Sequence, residues 1–430
     1  MISVRLAVLA AAAVIGAATL QPVLTAQSPT RLIAIGDIHG SYDGITTILR
    51  RAGLVDDALK WTGGGAVLVQ TGDYTDRGTD VRKVMDLLMR LEQEAKLAGG
   101  QAIVLAGNHE IMNAIGDLQD VTPEICATFA TPTSEKVRED AWKQYERVAK
   151  PRANLTAPPH PVFSMTRAAF MRAHPPGCLE YREALGPNGL YGKWIRAKDI
   201  AAVVNGTLFM HAGINPSRPA PKSIADVNNQ ARAEIHRLDV FRKRLADRRV
   251  SLPFFGIEEI LGAAVVELTL ARDALLAKVE GKDPDFDVAL LREAQEILGV
   301  TKWSLLDPEG PLWFRGYARW TEGETTAQVT AFLDQMKLTR IVVGHTPTPD
   351  GRIAPRYGGR VVTIDTGMLA YYRGVPSALE IVGDRMKAIY PDGEVELTPA
   401  KTARMSVPAA TPSSTHASRP AALATAKLMP

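Results

Sequence analysis

The stretch IVLAGNHEIM (103–112) sets an amide, an imidazole and a carboxylate, Asn108, His109 and Glu110, directly behind an apolar run. Four other stretches repeat the pattern: GDIHG (36–40), TGDYTDRG (71–78), HAGI (211–214) and GHT (344–346). Together they offer Asp37, His39, Asp73, Asn108, His211 and His345 as donors. Imidazole, carboxylate and amide donors without a thiolate suit borderline divalent ions such as Mn, Fe or Zn better than calcium or a structural zinc. Six side chains exceed what one ion with an open position can use, whereas two ions sharing a bridging carboxylate fit the number. Two divalent ions facing two aspartates leave net positive charge, enough to hold a hydroxide and an anionic substrate. Phosphate esters match this site, because paired ions about 3.5–4 Å apart activate water and clamp the attacking and leaving oxygens of an in-line displacement.

Each ingredient has a plainer use. Asp37 could cap the helix that follows it, His211 could be a satisfied core histidine, and His345 could be a turn residue before Pro347. Their ordered recurrence at five places is what argues for one site.

Something must bring these clusters together, and each follows a short apolar run: RLIAI (31–35), AVLVQ (66–70), AIVLA (102–106), TLFM (207–210) and RIVV (340–343). Such runs, stopped by glycine or a polar residue, predict buried strands. In α/β sheets the loops at the carboxyl ends of strands converge on ligands. Helical patterns lie between them, in ITTILRRAGL and VRKVMDLLMRLEQEAKLAG, and RVVTIDT, ALEIV and MKAIY read as further, antiparallel strands. The fold class is therefore α/β. The intervals of about 114–204 and 217–307 are too long for structureless loops, so they are read as two largely helical insertions beside the site.

The composition bounds the rest. A chain of 430 residues that is 46% hydrophobic can build one large domain with insertions or two ordinary ones, and is neither fibrous nor wholly disordered. Residues 1–26 read as a signal peptide: one arginine, an apolar run from Leu6 to Leu20, then small residues offering cleavage between about Ala18 and Ala26. The competing reading is an uncleaved anchor, for which the run falls short of the about 20 apolar residues a span needs. Cleavage would leave no stable membrane span and a periplasmic or secreted protein. The main domain is placed at 30–397. Residues 398–430, rich in Ala, Pro, Ser and Thr, carry Lys401, Arg404, Arg419 and Lys427 without an acid and read as a disordered basic tail. Because that tail holds more positive charge than the net +3 of the whole chain, the folded part is slightly acidic, which argues against nucleic acid. The two cysteines, Cys126 and Cys178, can form a bridge in an oxidising compartment or remain separate thiols.

GDIHG, GDYTDRG, GNHE, HAGI and GHT in this order resemble the calcineurin-like metallophosphoesterases, and specifically the phosphoprotein phosphatase branch. GPLWFRGYARW (310–320) and VVTIDTGM (361–368) resemble its bacterial, Shewanella-like group. The resemblance implies a four-layer α/β/β/α β-sandwich. It implies a first metal held by Asp37, His39 and Asp73, and a second held by Asp73, Asn108, His211 and His345. His109 would be the general acid, oriented by Asp76, while Arg77 and Arg315 would grip phosphate oxygens with their planar forks. A histidine beside two cations needs a carboxylate to stay protonated, and Asp76 is near in sequence. Glu110 is left as a loop-fixing carboxylate.

Departures limit the transfer. TIDTGM stands where the eukaryotic enzymes carry a tyrosine-containing motif, so no tyrosine is carried over. HAGI also occurs in diadenosine tetraphosphatases, although these usually read GNHD. The expected function is hydrolysis of phosphomonoesters on a phosphorylated protein, peptide or small phosphoester. The alternatives are a dinucleoside polyphosphate or nucleotide hydrolase, and a binding protein that kept the fold without catalysis.

Overall fold

The computed structural model describes residues 30–153, 155, 160–278 and 287–397. The expected signal segment 1–26 and basic tail 398–430 lie outside the described residues. The strands are β1 (Arg31–Ile35), β2 (Val67–Gln70), β3 (Gln101–Val104), β4 (Ala201–Val204), β5 (Thr207–Met210), β6 (Arg340–Val343), β7 (Ala354–Arg356), β8 (Val361–Thr363), β9 (Ala378–Val382), β10 (Arg385–Tyr390) and β11 (Gly393–Leu397). They form a six-stranded sheet in the order β11-β10-β9-β1-β2-β3 and a five-stranded sheet in the order β4-β5-β6-β8-β7. The strands that precede the motifs run parallel, β1 to β2 to β3 in one sheet and β5 to β6 in the other.

Alternation along these strands builds the layers, because successive side chains point to opposite faces. Leu32, Ala34, Val67 and Val69 face inward against Phe209, Val342 and Val362 of the other sheet. Ile33, Ile35 and Leu68 face outward beneath α1 (Tyr42–Arg51) and α2 (Val81–Leu97). Both faces are covered, so the strands read as continuous apolar runs. α3 (Asn108–Ile115) follows β3 and carries GNHE at its start.

The first inserted interval forms α4 (Pro123–Ala127), α5 (Ser134–Ala149), α6 (Arg167–Ala173), α7 (Cys178–Leu185) and α8 (Leu190–Arg196); the second forms α9 (Ile224–Asp247), α10 (Ile257–Lys278) and α11 (Val288–Leu298). The two share one core, in which Tyr145 and Phe170 meet Phe241, Leu245, Ile260 and Ile297. Segments separate in sequence thus become one helical body. After α12 (Gly316–Arg319), α13 (Glu322–Gln335) covers the outer face of the five-stranded sheet, with Val329, Phe332 and Leu333 over Leu208, Ile341 and Val343. This is the expected α/β/β/α arrangement. Among the described residues no helix is long and apolar enough to cross a membrane.

Two expectations change and one open alternative is decided. Ala201–Val204, placed in the first insertion, pairs with β5 as a sheet edge. β8, expected to be antiparallel, runs parallel to β6 and antiparallel only to β7, because its chain enters from the short β7 hairpin. The two cysteines are not separate thiols: Cys126 and Cys178 form a disulfide that ties α4 to α7.

Both insertions also reach the end of α3. Arg196 donates to the Ala114 carbonyl at 2.9 Å, and Arg242 donates to the carbonyls of Ala114 and Ile115. The last carbonyls of a helix have no partner within it, so these guanidinium groups complete α3.

Candidate active site

All six expected donors are buried at 6% exposure or less, and they meet at the carboxyl ends of five strands. Asp37 and His39 follow β1, Asp73 follows β2, Asn108 opens α3 after β3, and His211 and His345 follow β5 and β6. Asp73 lies between the two sheets. Its carboxylate is 3.6 Å from His39 Nε2 and 3.2 Å from His211 Nε2. The convergence is tight enough to explain two motif glycines. A Cβ at Gly107 would stand 2.3 Å from Asp73 Oδ1, and one at Gly344 would stand 2.3 Å from Asp37 Oδ1. Five site candidates adopt the left-handed conformation unusual for side-chain-bearing residues: His39 (φ 47°), Asp73 (58°), Asp76 (66°), Arg77 (68°) and His345 (67°). Backbone strain of this kind concentrates at functional sites, where the surrounding fold imposes it.

The loop that holds Asp73 is fixed by Glu110. Its buried carboxylate accepts from the backbone N–H groups of Asp73, Tyr74, Thr75 and Gly107 at 2.7–2.9 Å and from the Thr75 hydroxyl at 2.8 Å. Five donors on one carboxylate bind the GDYTDRG turn to the start of α3.

Three histidines share one arrangement. His39 Nδ1–H donates to the Thr75 carbonyl (3.0 Å), His211 Nδ1–H to the Thr71 carbonyl (3.2 Å) and His345 Nε2–H to the Trp313 carbonyl (3.2 Å). A carbonyl accepts only, so the outer nitrogen carries a proton, and in the neutral ring the inner nitrogen presents its lone pair. Burial, outweighing the nearby Asp73, lowers the pKa of His39 to about 3, and burial together with His211 and Arg315 lowers that of His345 to about 2. Both are neutral. His211 Nε2 lies 2.8 Å from Asn108 Oδ1 and 3.0 Å from His345 Nδ1, so three inner donors crowd together. Burial raises the pKa of Asp37, and its carboxylate neighbours Asp365 and Asp73 add to the rise. Asp73 is held low: burial works against its charge, but His211, His109 and His39 outweigh it. Imidazoles, an amide oxygen and two carboxylates aimed at a common space are a donor set that fits divalent ions.

His109 is wired differently. Its Nδ1 lies 2.7 Å from Asp76 Oδ2, and its Nε2 stands 3.9 Å from Asp73 Oδ2. Burial opposes a charge here, yet Asp73 and Asp76 together raise the pKa to about 9. His39, Asp73 and His109 place donor atoms within 4.8 Å of one another, as do Asp73, His211 and His345. Distance alone would admit His109 as a ligand in the first group. An imidazolium bonded to a carboxylate offers no lone pair, however, and Asp37 Oδ2, 4.0 Å from His39 Nε2, is placed where it could complete that group.

The arginines border the same space. Arg77 donates to His39 Nε2 at 2.9 Å and to the Tyr372 hydroxyl, and its Nε stands 3.7 Å from Asp120. Arg315 donates to the His345 carbonyl (2.8 Å) and to Thr346 Oγ1 (3.1 Å), which leaves much of its fork free toward the acidic cluster.

Four residues at the site had no role in the sequence reading. Asp365 is buried against Asp37, with burial raising its pKa to about 6; the strand-end rule that found the other donors applies equally to VVTIDT. Asn113 follows His109 by one helical turn, a spacing that could have flagged it. Tyr372, in the region from which no tyrosine was carried over, has its ring 5.7 Å from that of His39. Asp120, 3.9 Å from His109 Nδ1, lies in a loop whose path no local pattern fixes.

With this geometry in place, comparison with known proteins is specific. Residues 30–256 match the calcineurin-like phosphoesterase family, and the chain belongs to it. It is a metallophosphoesterase, a metal-dependent hydrolase of phosphoesters, and its relatives include the Shewanella-like phosphatases. An uncharacterized protein of Schizosaccharomyces pombe is 28% identical over 355 residues, 82% of this chain and 77% of that one. Shewanella-like protein phosphatase 2 of Arabidopsis thaliana is 34% identical over 194 residues, 44% of this chain and 47% of that one. Shewanella-like protein phosphatase 1 of Plasmodium berghei is 23% identical over 365 residues, covering 84% and 74%. Among solved structures, the cold-active protein-tyrosine phosphatase of a psychrophilic Shewanella species superposes with a TM-score of 0.53 at 23% identity, over 86% of this chain and 81% of that one. That likeness establishes the shared fold.

Proposed function

We propose that the protein hydrolyses phosphomonoesters on phosphorylated proteins or peptides. The observation that carries this reading is the contrast within the site: three histidines anchored on backbone carbonyls with their inner nitrogens beside Asp37, Asp73 and Asn108, and one histidine held protonated against Asp76. Asp37, His39 and Asp73 would hold one divalent ion, and Asp73, Asn108, His211 and His345 a second, with Mn, Fe or Zn suited to these donors. When bound, the ions supply an activated water and a positive clamp on the phosphate.

The remaining steps belong to the chain. Arg77 and Arg315 orient the phosphate by paired N–H bonds. Ion binding at His39 needs the Nε2 lone pair that Arg77 now occupies, so Arg77 must release it, and Tyr372 and Asp120 keep the freed guanidinium at the edge of the site. His109 gives its Nε2 proton to the departing oxygen while Asp76 holds Nδ1. The names of the plant and parasite relatives support a protein substrate. The Cys126–Cys178 bridge supports an exported, periplasmic or secreted protein, since such bonds persist in oxidising compartments. Recovery of the protein from the cytoplasm with both thiols reduced would overturn that placement.

The test is turnover by the purified chain with added Mn. Phosphotyrosine and phosphoserine peptides and p-nitrophenyl phosphate should be hydrolysed, and a dinucleoside tetraphosphate more slowly. Faster turnover of the dinucleotide would favour the nucleotide reading, and normal ion binding with no turnover would favour a binding protein.

A further inference from the structure

We infer that Tyr181, in the first insertion, is a positioning residue for His109, acting through Asn113 and Asp76; the inference rests on His109 as the proton donor. Four buried side chains form one line of hydrogen bonds. His109 Nδ1 meets Asp76 Oδ2 at 2.7 Å, Asp76 Oδ1 accepts from Asn113 Nδ2 at 2.7 Å, and Asn113 Oδ1 accepts from the Tyr181 hydroxyl at 2.6 Å. None of the four is more than 4% exposed.

The direction of each bond follows from chemistry. An ionised Asp76 accepts only, so Asn113 must turn its NH2 toward it, where the same group also donates to the His109 carbonyl at 2.9 Å. The amide oxygen then faces α7 and needs a donor, which the Tyr181 hydroxyl provides. Without that donor the buried amide oxygen is left unpaired, and that penalty loosens the hold of the amide on Asp76. Both carboxylate oxygens of Asp76 are engaged, one by the amide and one by the imidazole, so its plane, and with it the aim of His109 Nε2, is fixed at both ends. A line of polar groups in a dry interior is strengthened when complete and weakened throughout when one member is lost.

Tyr181 is itself firmly placed. Phe129 packs edge-on to its ring with centroids 5.0 Å apart, and the disulfide ties the first residue of α7 to α4. Other buried tyrosines lack this connection: the Tyr145 hydroxyl donates to the Val162 carbonyl and accepts from Met165 N–H. The line thus runs from an inserted helix to the proton donor, and it meets an expected ion ligand only at its far end, where the His109 backbone N–H donates to Asp73 Oδ1 at 3.1 Å.

The experiment separates positioning from general damage by the leaving group. Phenyl phosphate needs a proton on its departing oxygen, whereas 2,4-dinitrophenyl phosphate does not. With Mn-loaded full chain, Tyr181→Phe should lower kcat about tenfold for the first ester and less than about threefold for the second, at unchanged KM and ion content. Asn113→Ala should show the same split, and Tyr145→Phe should leave both rates alone. In an Asp76→Asn background, Tyr181→Phe should add no further loss. Equal losses on both esters, loss of ions, or full additivity with Asp76→Asn would overturn the inference. Should the unaltered protein cleave neither ester, the phosphatase reading falls. The positioning is then decided by the NMR signal of His109 Nδ1–H in 15N-histidine-labelled, Zn-loaded protein, which must shift in Tyr181→Phe; an unmoved signal refutes it.

Discussion

His211 and His109 stand on either side of Asp73, with their Nε2 atoms 3.2 and 3.9 Å from the same carboxylate oxygen. Behind His211 is the Thr71 carbonyl, and behind His109 the Asp76 carboxylate. A carbonyl at the far nitrogen selects the tautomer whose lone pair turns inward, whereas a carboxylate stabilises the doubly protonated ring. The difference teaches that ring position alone does not assign a histidine to ligand or acid. The group on its outer nitrogen does.

The strongest way to break the comparison is to remove what the two histidines share. Asp73→Asn should strip ions from both positions and lower kcat/KM on the order of 10⁴-fold, the scale at which removing a member of a catalytic constellation acts; near-normal turnover would contradict a bridging role. Next comes the pair itself. His109→Ala should lower kcat about 10²–10⁴-fold while ion content stays normal, and His211→Ala should lower ion content first. Matching ion loss in both, measured by elemental analysis, would erase the distinction.

A smaller effect is expected with pH. The raised pKa of His109 means that the proton is present below about 9 and lost above it, so kcat should fall as pH rises through this range, about tenfold per unit. Ions drawing on Asp73 remove part of its support for the proton, so the limb in the loaded enzyme should lie below the value titrated by NMR in chelated protein. A kcat that rises through the same range would refute the acid role. The smallest effect tests the frame common to both histidines. Glu110→Gln replaces a charged acceptor of five hydrogen bonds and should cost about 3 kcal/mol in urea unfolding. A loss below about 1 kcal/mol would mean that the loop is held elsewhere.

What could be read in advance follows a physical division. The five motif strands and the donors behind them were legible because a strand covered on both faces must be apolar and must end at its first polar residue. β4, β7 and β11 were not, since Ala-Ala-Val-Val, Ala-Pro-Arg and Gly-Glu-Val-Glu-Leu are edge sequences without a strong pattern. Asp76 and Arg77 were legible because they sit within a motif, whereas Asp120 and Tyr372 lie on loops that only the tertiary fold carries to the site. Tyr181 belongs to a helix 68 residues from its partner Asn113, a separation at which local spacing holds no information.

The clamp on the last turn of α3 has a consequence for the order of events in folding. Arg196 and Arg242 reach Ala114 across 82 and 128 residues, while the residues at the other end of the same helix form the site. Contacts of such sequence separation close late, because the chain entropy of the intervening loop must be lost before they form. The sheets close comparable or longer separations in joining β5 to β6 and β1 to β9, so α3 is completed in the same non-local stage, once both insertions have docked. Recovery of catalysis on refolding should therefore trail the return of locally formed helices, and the enzyme would become active in the same late step that closes its helical body.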